Sequence, residues 1–132
     1  MIIGVGTDIV DIQRIEKAIT RFGARFARKL LSEAEFREYQ SVSHPPAFLA
    51  KRFAAKEATV KAMGIGFRHG VRPSHISVKH DELGRPTVEL LGQAGVIAAD
   101  KGIAHVYISV ADERHYAVAF VTATSKESAI IA

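Results

Sequence analysis

The sequence predicts an α+β fold in which helices pack on a mostly antiparallel sheet. Helix-period apolar patterns fill residues 11–63, and short β-branched runs between glycine and aspartate turns follow from residue 75 onward. A third observation sets the scale. The 132 residues contain no repeat, low-complexity tract or Pro/Gly/Ser-rich linker, so 1–132 reads as one domain.

Residues 2–7 (IIGVGT) read as a short strand, β-branched but interrupted by Gly4 and Gly6. From Asp11 the period changes: Ile12, Ile15, Ile19 and Phe22 recur at helical spacing, with Asp11 placed as an N-cap or first-turn acid. Gly23 ends or breaks that helix, and Phe26, Leu30 and Leu31 carry an apolar stripe beyond it. Ser32 with Glu35 fits a capping box opening a helix toward Tyr39. Pro45 and Pro46 mark the next start. Ala47–Met63 is rich in Ala, Leu, Lys and Glu and free of Gly and Pro, which makes it the strongest helix in the chain. Gly64-Ile65-Gly66 closes it, and the loop to Ser74 is glycine-bearing and basic through Arg68, His69 and Arg72. Strand-like runs follow at 75–80, 86–91, 104–111 and 116–123, with a short helix at Gln93–Lys101. The expectation is three or so helices on one sheet, with the tail after Thr124 frayed.

Composition removes several function classes. Zero cysteines exclude disulfides, thiol nucleophiles and thiolate metal sites. No run of about 18 apolar residues is present, so no spanning helix is expected and no membrane partner. The start, MIIGVGTDIVD, lacks a basic region and meets Asp8 early, unlike a signal peptide; a cytoplasmic protein is expected. The net charge of +4 implies an acidic partner. Nucleic acid is disfavoured as that partner, because the 8% of aromatic residues are mostly Phe at helical apolar spacing, without arginine interleaving.

Two carboxylates stand out. On a projection of the 47–63 helix, Glu57 lies on the apolar stripe of Leu49, Phe53 and Val60. A carboxylate there is paired with an arginine, bound to metal or protonated, since burying it bare costs several kcal/mol. Lys61 follows at i+4, a spacing that also serves as ordinary helix decoration. Asp8 follows the glycine-interrupted strand and precedes a helix, a place for either a turn aspartate or a ligand. Two hard oxygen ligands without His or Cys suit Mg²⁺, which fills its shell with water and substrate phosphates. The glycine-bearing basic loop after the helix supplies N–H groups and cations for such phosphates, although helix termination explains Gly64–Gly66 equally well.

The segments GTDIVDI (6–12), LLSEAEF (30–36), FLAKRFAAKEATVKAMGIG (48–66) and ADERHYA (111–117) together resemble the holo-acyl-carrier-protein synthases, the small-subunit class of 4′-phosphopantetheinyl transferases. The resemblance spans nearly the whole chain in order, and GTDIV followed by RFAAKEA is its most specific part. It implies a Mg²⁺-dependent enzyme that transfers the phosphopantetheine arm of coenzyme A to a serine of apo-acyl carrier protein, in support of fatty acid biosynthesis. It further implies a homotrimer with coenzyme A in clefts between subunits. Carried over by position, Asp8 and Glu57 match the metal ligands, and Lys61 matches the catalytic lysine near the reacting phosphate, placed either to deprotonate the attacking serine or to stabilise charge on the phosphoryl oxygens. Arg52, Gly64, Ile65 and Gly66 match positions near the nucleotide part of coenzyme A, and Pro86 and Ser109 lie in segments that approach the cofactor. Where many members have a histidine in the late motif, this chain has Asp112, so no proton relay through a histidine there applies.

Arg14, Arg21, Arg25 and Arg28 would share one face of a continuous helix, unless Gly23 breaks it. Such a stripe is either a solvated face or, as the resemblance implies, a dock for the acidic carrier protein. The projection sets Arg14 and Arg21 apart from Asp8, Glu57 and Lys61. Two other classes remain, a non-catalytic coenzyme A or nucleotide sensor and a basic nucleic-acid-binding module. Neither gives both carboxylates and Lys61 a role.

Overall fold

The computed structural model describes residues 1–126. One long helix organises it. Pro45–Met63 (α4) begins at two prolines, whose missing N–H groups are no loss in a first turn. It ends at Gly64, whose left-handed φ of 77° only glycine adopts without strain. Against α4 lie Ile12–Phe22 (α1), Ala24–Leu30 (α2) and Glu33–Tyr39 (α3). Gly92–Asp100 (α5) packs with Val60 and Met63 of α4 in a second apolar cluster.

The strands form two antiparallel sheets where one was expected. Ile2–Asp11 (β1), Ile103–Asp112 (β4) and Tyr116–Ser125 (β5) give a three-stranded sheet in the order β1-β5-β4. Ile76–His80 (β2) and Pro86–Leu90 (β3) make a separate hairpin, preceded by a 3₁₀ turn at Pro73–His75. Five α-helices are present among the described residues, two more than expected. Gly23 breaks the first predicted helix into α1 and α2 and sets Phe22 out of the core. The tail expectation falls partly on residues 127–132, which lie outside the described residues. Thr124 and Ser125 do not fray: they belong to β5, and the Ser125 N–H donates to the Met1 carbonyl at 2.8 Å.

The contact between α4 and β1 decides which side chains meet beside the helix. A Cβ built on Gly4 would lie 2.0 Å from the Ala62 carbonyl oxygen, and one on Gly6 would lie 2.0 Å from that of Ala58. No side chain fits there, so the GVG alternation presents a bare strip of β1 to the alanine face of α4. The helix backbone lies directly on the strand. Ala117, Ala119, Val121 and Ala123 of β5 extend the same inner face and are fully buried.

The outer face of the three-stranded sheet is different. Val5 and Ile9 of β1, Val118 and Phe120 of β5 and Tyr107 of β4 are exposed there. Registers of Ile9 with Val118, Thr7 with Phe120 and Phe120 with Ser109 put them on one continuous surface. Contiguous exposed apolar faces commonly mark contact sites for a partner or ligand.

Candidate active site

Asp8 does not follow the strand, as expected, but sits within it, opposite Ala119. Pairing continues to Asp11, whose side chain then caps α1 by accepting from the Gln13 N–H at 2.9 Å. Because Gly4 and Gly6 let α4 lie on β1, the Asp8 side chain emerges two residues on, beside the middle of that helix. There Lys61 Nζ donates to Asp8 Oδ1 at 3.1 Å and to the Thr7 carbonyl at 3.0 Å. Residues more than fifty positions apart thus meet through two glycines.

Glu57 faces the same place. It lines a cleft of about 360 Å³ with Asp8, Val10, Arg14, Phe26 and Phe53. The expected stripe of Leu49, Phe53, Glu57 and Val60 is not one face. Leu49 and Val60 are fully buried, whereas Phe53 and Glu57 are half-buried and Lys61 is exposed. These last three stand at i, i+4 and i+8, and Phe53 and Glu57 line the cleft. Of the three alternatives for Glu57, arginine pairing is not seen: among the described residues no cation forms an ion pair with it. Partial burial pushes the Glu57 carboxyl above its usual pKa, the neighbouring Asp8 charge pushes it further, and Lys61 opposes both.

This is an under-neutralised acidic pair, and it fits a divalent cation. Among the described residues no group of three or more His, Cys, Asp or Glu side chains is placed to hold a metal. Two carboxylates alone suit Mg²⁺, whose remaining positions are filled by water and phosphate oxygens.

Arg14 corrects the projection. It was expected apart from the carboxylates, yet it lines their cleft, because α1 starts directly at the end of β1. Its nearness to Asp8 in sequence, across a strand-to-helix turn, was the available signal. Arg21 lies on the last turn of α1, and Arg25 and Arg28 lie on α2 beyond the break at Gly23. All four are exposed, but no continuous helical stripe unites them. Arg21 lies over the Phe22 ring at 5.1 Å and Arg28 over Phe36 at 4.5 Å, and Arg25 lines a shallow cleft with Phe22, Phe26 and Lys29.

The remaining expected cofactor residues fall elsewhere. Arg52 and Pro86 line a second cleft, with Lys51, His80 and Asp112, that shares no lining residue with the first. Asp112 ends β4 and approaches Lys51 at 3.7 Å. Ser109 lies on the open outer face of the sheet, opposite Phe120. Gly64 and Gly66 have left-handed backbones at the C-terminus of α4, and Ile65 is tucked into the second core cluster. A single chain therefore does not assemble all the expected residues at one point.

Arg52 is buried. Its Nη2 donates to Glu38 Oε1 at 3.0 Å, and its Nε lies 3.3 Å from Glu35 Oε2 but is not aligned for a hydrogen bond. Beside it Lys56, which the sequence pattern alone does not single out, is wholly buried.

Comparison with known proteins bears on the chain as a whole. Residues 4–121 match the family described as the 4′-phosphopantetheinyl transferase superfamily. A holo-[acyl-carrier-protein] synthase of Aliivibrio salmonicida is 47% identical over 120 residues, covering 91% of this chain and 95% of that protein. Among solved structures, the holo-[acyl-carrier-protein] synthase of Neisseria meningitidis superposes with a TM-score of 0.89 at 41% identity, covering 95% of this chain and 100% of that one. A holo-(acyl-carrier-protein) synthase of Bacillus anthracis, solved in complex with CoA (3′,5′-ADP), gives 0.80 at 32% identity, over 96% and 99% of the two chains.

Proposed function

We propose for this chain, which belongs to the 4′-phosphopantetheinyl transferase superfamily, the activity of a holo-[acyl-carrier-protein] synthase. It transfers the 4′-phosphopantetheine group of coenzyme A to a serine of apo-acyl carrier protein. The serine oxygen bonds to the phosphorus that bears the pantetheine arm, and the bond from that phosphorus to the bridging oxygen breaks. Holo-carrier and adenosine 3′,5′-bisphosphate result, and the serine proton is released.

The observation that carries the reading is the place of Asp8, which shares a cleft with Glu57 and Arg14 and pairs with Lys61. Asp8 and Glu57 would hold Mg²⁺, which when bound supplies positive charge to the pyrophosphate and its leaving oxygen. Lys61 uses two of its three ammonium donors on Thr7 and Asp8. That fixes its charge beside the reacting phosphate, leaving one donor for a phosphoryl oxygen. Arg14, on the cleft wall, attracts an acidic side chain of the carrier to within reach of the reaction, and Arg21, Arg25 and Arg28 extend that surface along α1 and α2.

Two further features belong to the reading. The expected metal ligands Asp8 and Glu57 line one cleft, whereas Arg52 and Pro86, expected near coenzyme A, line another. The sheet leaves an apolar face bearing Val5, Ile9, Tyr107 and Phe120 uncovered, with Ser109 on it. Association into a trimer through that face covers it and brings the two kinds of cleft from neighbouring copies together around one coenzyme A. The location is the cytoplasm, to which a chain without cysteine is suited. Among the described residues no helix is long and apolar enough to cross a membrane.

Incubation with coenzyme A, Mg²⁺ and an apo carrier protein tests the activity. Intact mass should rise by one phosphopantetheinyl group, and omitting Mg²⁺ or adding a chelator should abolish the rise. An unmodified carrier under saturating conditions would leave only a non-catalytic binder.

A further inference from the structure

The side of α4 away from the cleft holds a charge cluster that the reaction does not use. Lys56 Nζ donates to Glu35 Oε1 at 2.6 Å, to the Pro73 carbonyl at 3.0 Å and to the Ile76 carbonyl. All three ammonium protons are taken. Glu35 is also the acid of the α3 capping box. Its Oε1 accepts from the Ser32 N–H at 2.9 Å, and its Oε2 accepts from the Val78 N–H at 3.0 Å. Ser32 and Ser77 hydroxyls close the group at 2.7 Å. Burial holds the Lys56 ammonium below its usual pKa, and the Glu35 charge opposes that.

What the pair touches gives it a second task. Residues 64–75 leave α4 at Gly64, carry Arg68, His69 and Arg72, and return to it where Lys56 binds the carbonyls of Pro73 and Ile76. Both ends of the segment are thus attached to one helix, at points roughly two turns apart. Glu35 also stands 3.3 Å from Arg52 Nε, with Glu38 gripping the other end of that guanidinium. The far end of the 64–75 segment therefore hangs on the buried ammonium, its near end on the last carbonyls of α4, and the Arg52 side chain lies between the buried Glu35 carboxylate and Glu38.

We propose that the buried Glu35–Lys56 pair is a positioning device for coenzyme A, fixing both the 64–75 segment and Arg52 relative to α4. This rests on the assignment of those residues to coenzyme A binding. Neither Glu35 nor Lys56 touches substrate; each acts through the groups it holds.

The test separates holding from folding. Lys56→Met leaves Glu35 charged and buried, so that single variant loses stability. The double variant Glu35→Gln with Lys56→Met removes both charges of the pair and leaves the buried Arg52 guanidinium its Glu38 partner, so it should be more stable than the single variant, yet the Pro73 and Ile76 carbonyls remain unbound. Its KM for coenzyme A is expected to rise about tenfold or more, with kcat at saturating coenzyme A and KM for the carrier both within about threefold of wild type. A stable double variant with a wild-type KM for coenzyme A overturns the proposal, as does a loss confined to kcat. If the double variant does not fold, hydrogen exchange in the unaltered chain decides. Coenzyme A should slow exchange across residues 64–76, and unchanged exchange there overturns the proposal. Failure of the unaltered chain to modify any apo carrier overturns the activity and this inference with it. Transfer by the unaltered chain, with KM for coenzyme A unmoved in the double variant, overturns this inference alone.

Discussion

Lys56 and Glu57 are neighbours in sequence, yet they belong to charge assemblies built to opposite standards. Around Lys56 every ammonium proton has an acceptor, and its Glu35 partner takes backbone donors on both oxygens. Around Glu57 the balance is left open. Asp8 has Lys61, Glu57 has no ion-pair partner among the described residues, and the Asp8 charge adds to the cost of ionising Glu57. A buried charge left unmatched would unfold a small domain, so the first assembly is complete. A charge left unmatched at a half-open cleft can be completed by a ligand. Incompleteness, rather than burial, distinguishes the site from the scaffold on this helix.

The sharpest way to break that comparison is Glu57→Gln. The amide keeps the shape and the fold but is a poor ligand for Mg²⁺. Turnover at saturating Mg²⁺ should fall by about a hundred- to a thousandfold, roughly 3–4 kcal/mol of transition-state stabilisation, with the unfolding transition preserved. Steady-state transfer to the apo carrier measures it. Near-normal turnover would remove Glu57 from the reaction, and loss of the fold would make its cluster structural like that of Lys56.

Lys61→Ala gives a smaller effect and a cleaner contrast with Lys56. The Lys61 side chain is half exposed, so its pair with Asp8 contributes about 0–1 kcal/mol to stability. The variant should unfold close to wild type but lose about ten- to a hundredfold in kcat, with coenzyme A binding less affected. If the loss lies wholly in KM for coenzyme A, Lys61 anchors phosphate in the ground state and does not stabilise the reacting group.

How much of this the sequence disclosed depends on the range of the interactions. Local rules were legible: the Asp11 cap, the Ser32–Glu35 capping box, the proline start of α4 and its glycine stop all lie where short-range chemistry put them. The helical projection of α4 failed because it assumes one buried face. This helix is enclosed on most sides, by β1 and β5, by α1 to α3 and by α5, so Leu49, Lys56 and Val60 are all buried while Glu57 is not. The division into two sheets was invisible for a related reason, since strand pairing is a long-range choice that single-strand patterns do not encode. Gly4 and Gly6 were visible as interruptions of a strand. Their meaning, an approach of helix to strand closer than any Cβ allows, depends on alanines more than fifty residues away.

Reversing arginines tests whether the cleft extends to the carrier. Arg14→Glu and Arg21→Glu should each cost about 1 kcal/mol in carrier recognition, seen as a five- to tenfold rise in KM for the carrier that shrinks with added salt. Because Arg14 alone lines the cleft of Asp8 and Glu57, only its reversal should also lower kcat, by setting a negative charge where an anionic phosphate reacts. Equal effects of the two reversals on kcat would mean that Arg14 is part of the rim and not of the site.

The smallest effect concerns stability without substrate. Glu57 has a raised pKa in the folded chain, from burial first and from Asp8 second. Between its unfolded value and that raised value the folded state binds more protons than the unfolded one, so stability falls as pH rises through the window. Above the window the loss is constant. Glu57→Gln carries no such group. The two proteins should therefore unfold at similar temperatures below about pH 4, near the ordinary glutamate pKa, with the variant slightly more stable at neutral pH when metal is removed. Adding Mg²⁺ at neutral pH should stabilise the wild type and leave the variant nearly unchanged, because only the wild type presents two carboxylates to the cation. Thermal unfolding from pH 4 to 8, with Mg²⁺ and with a chelator, reads both arms. A variant less stable than wild type at neutral pH without metal would mean that Glu57 already has a favourable partner in the free chain, with Arg14 across the cleft as the first candidate to substitute. The contrast with Lys56 would then be one of degree, since both assemblies would be self-sufficient and neither would be waiting for a ligand.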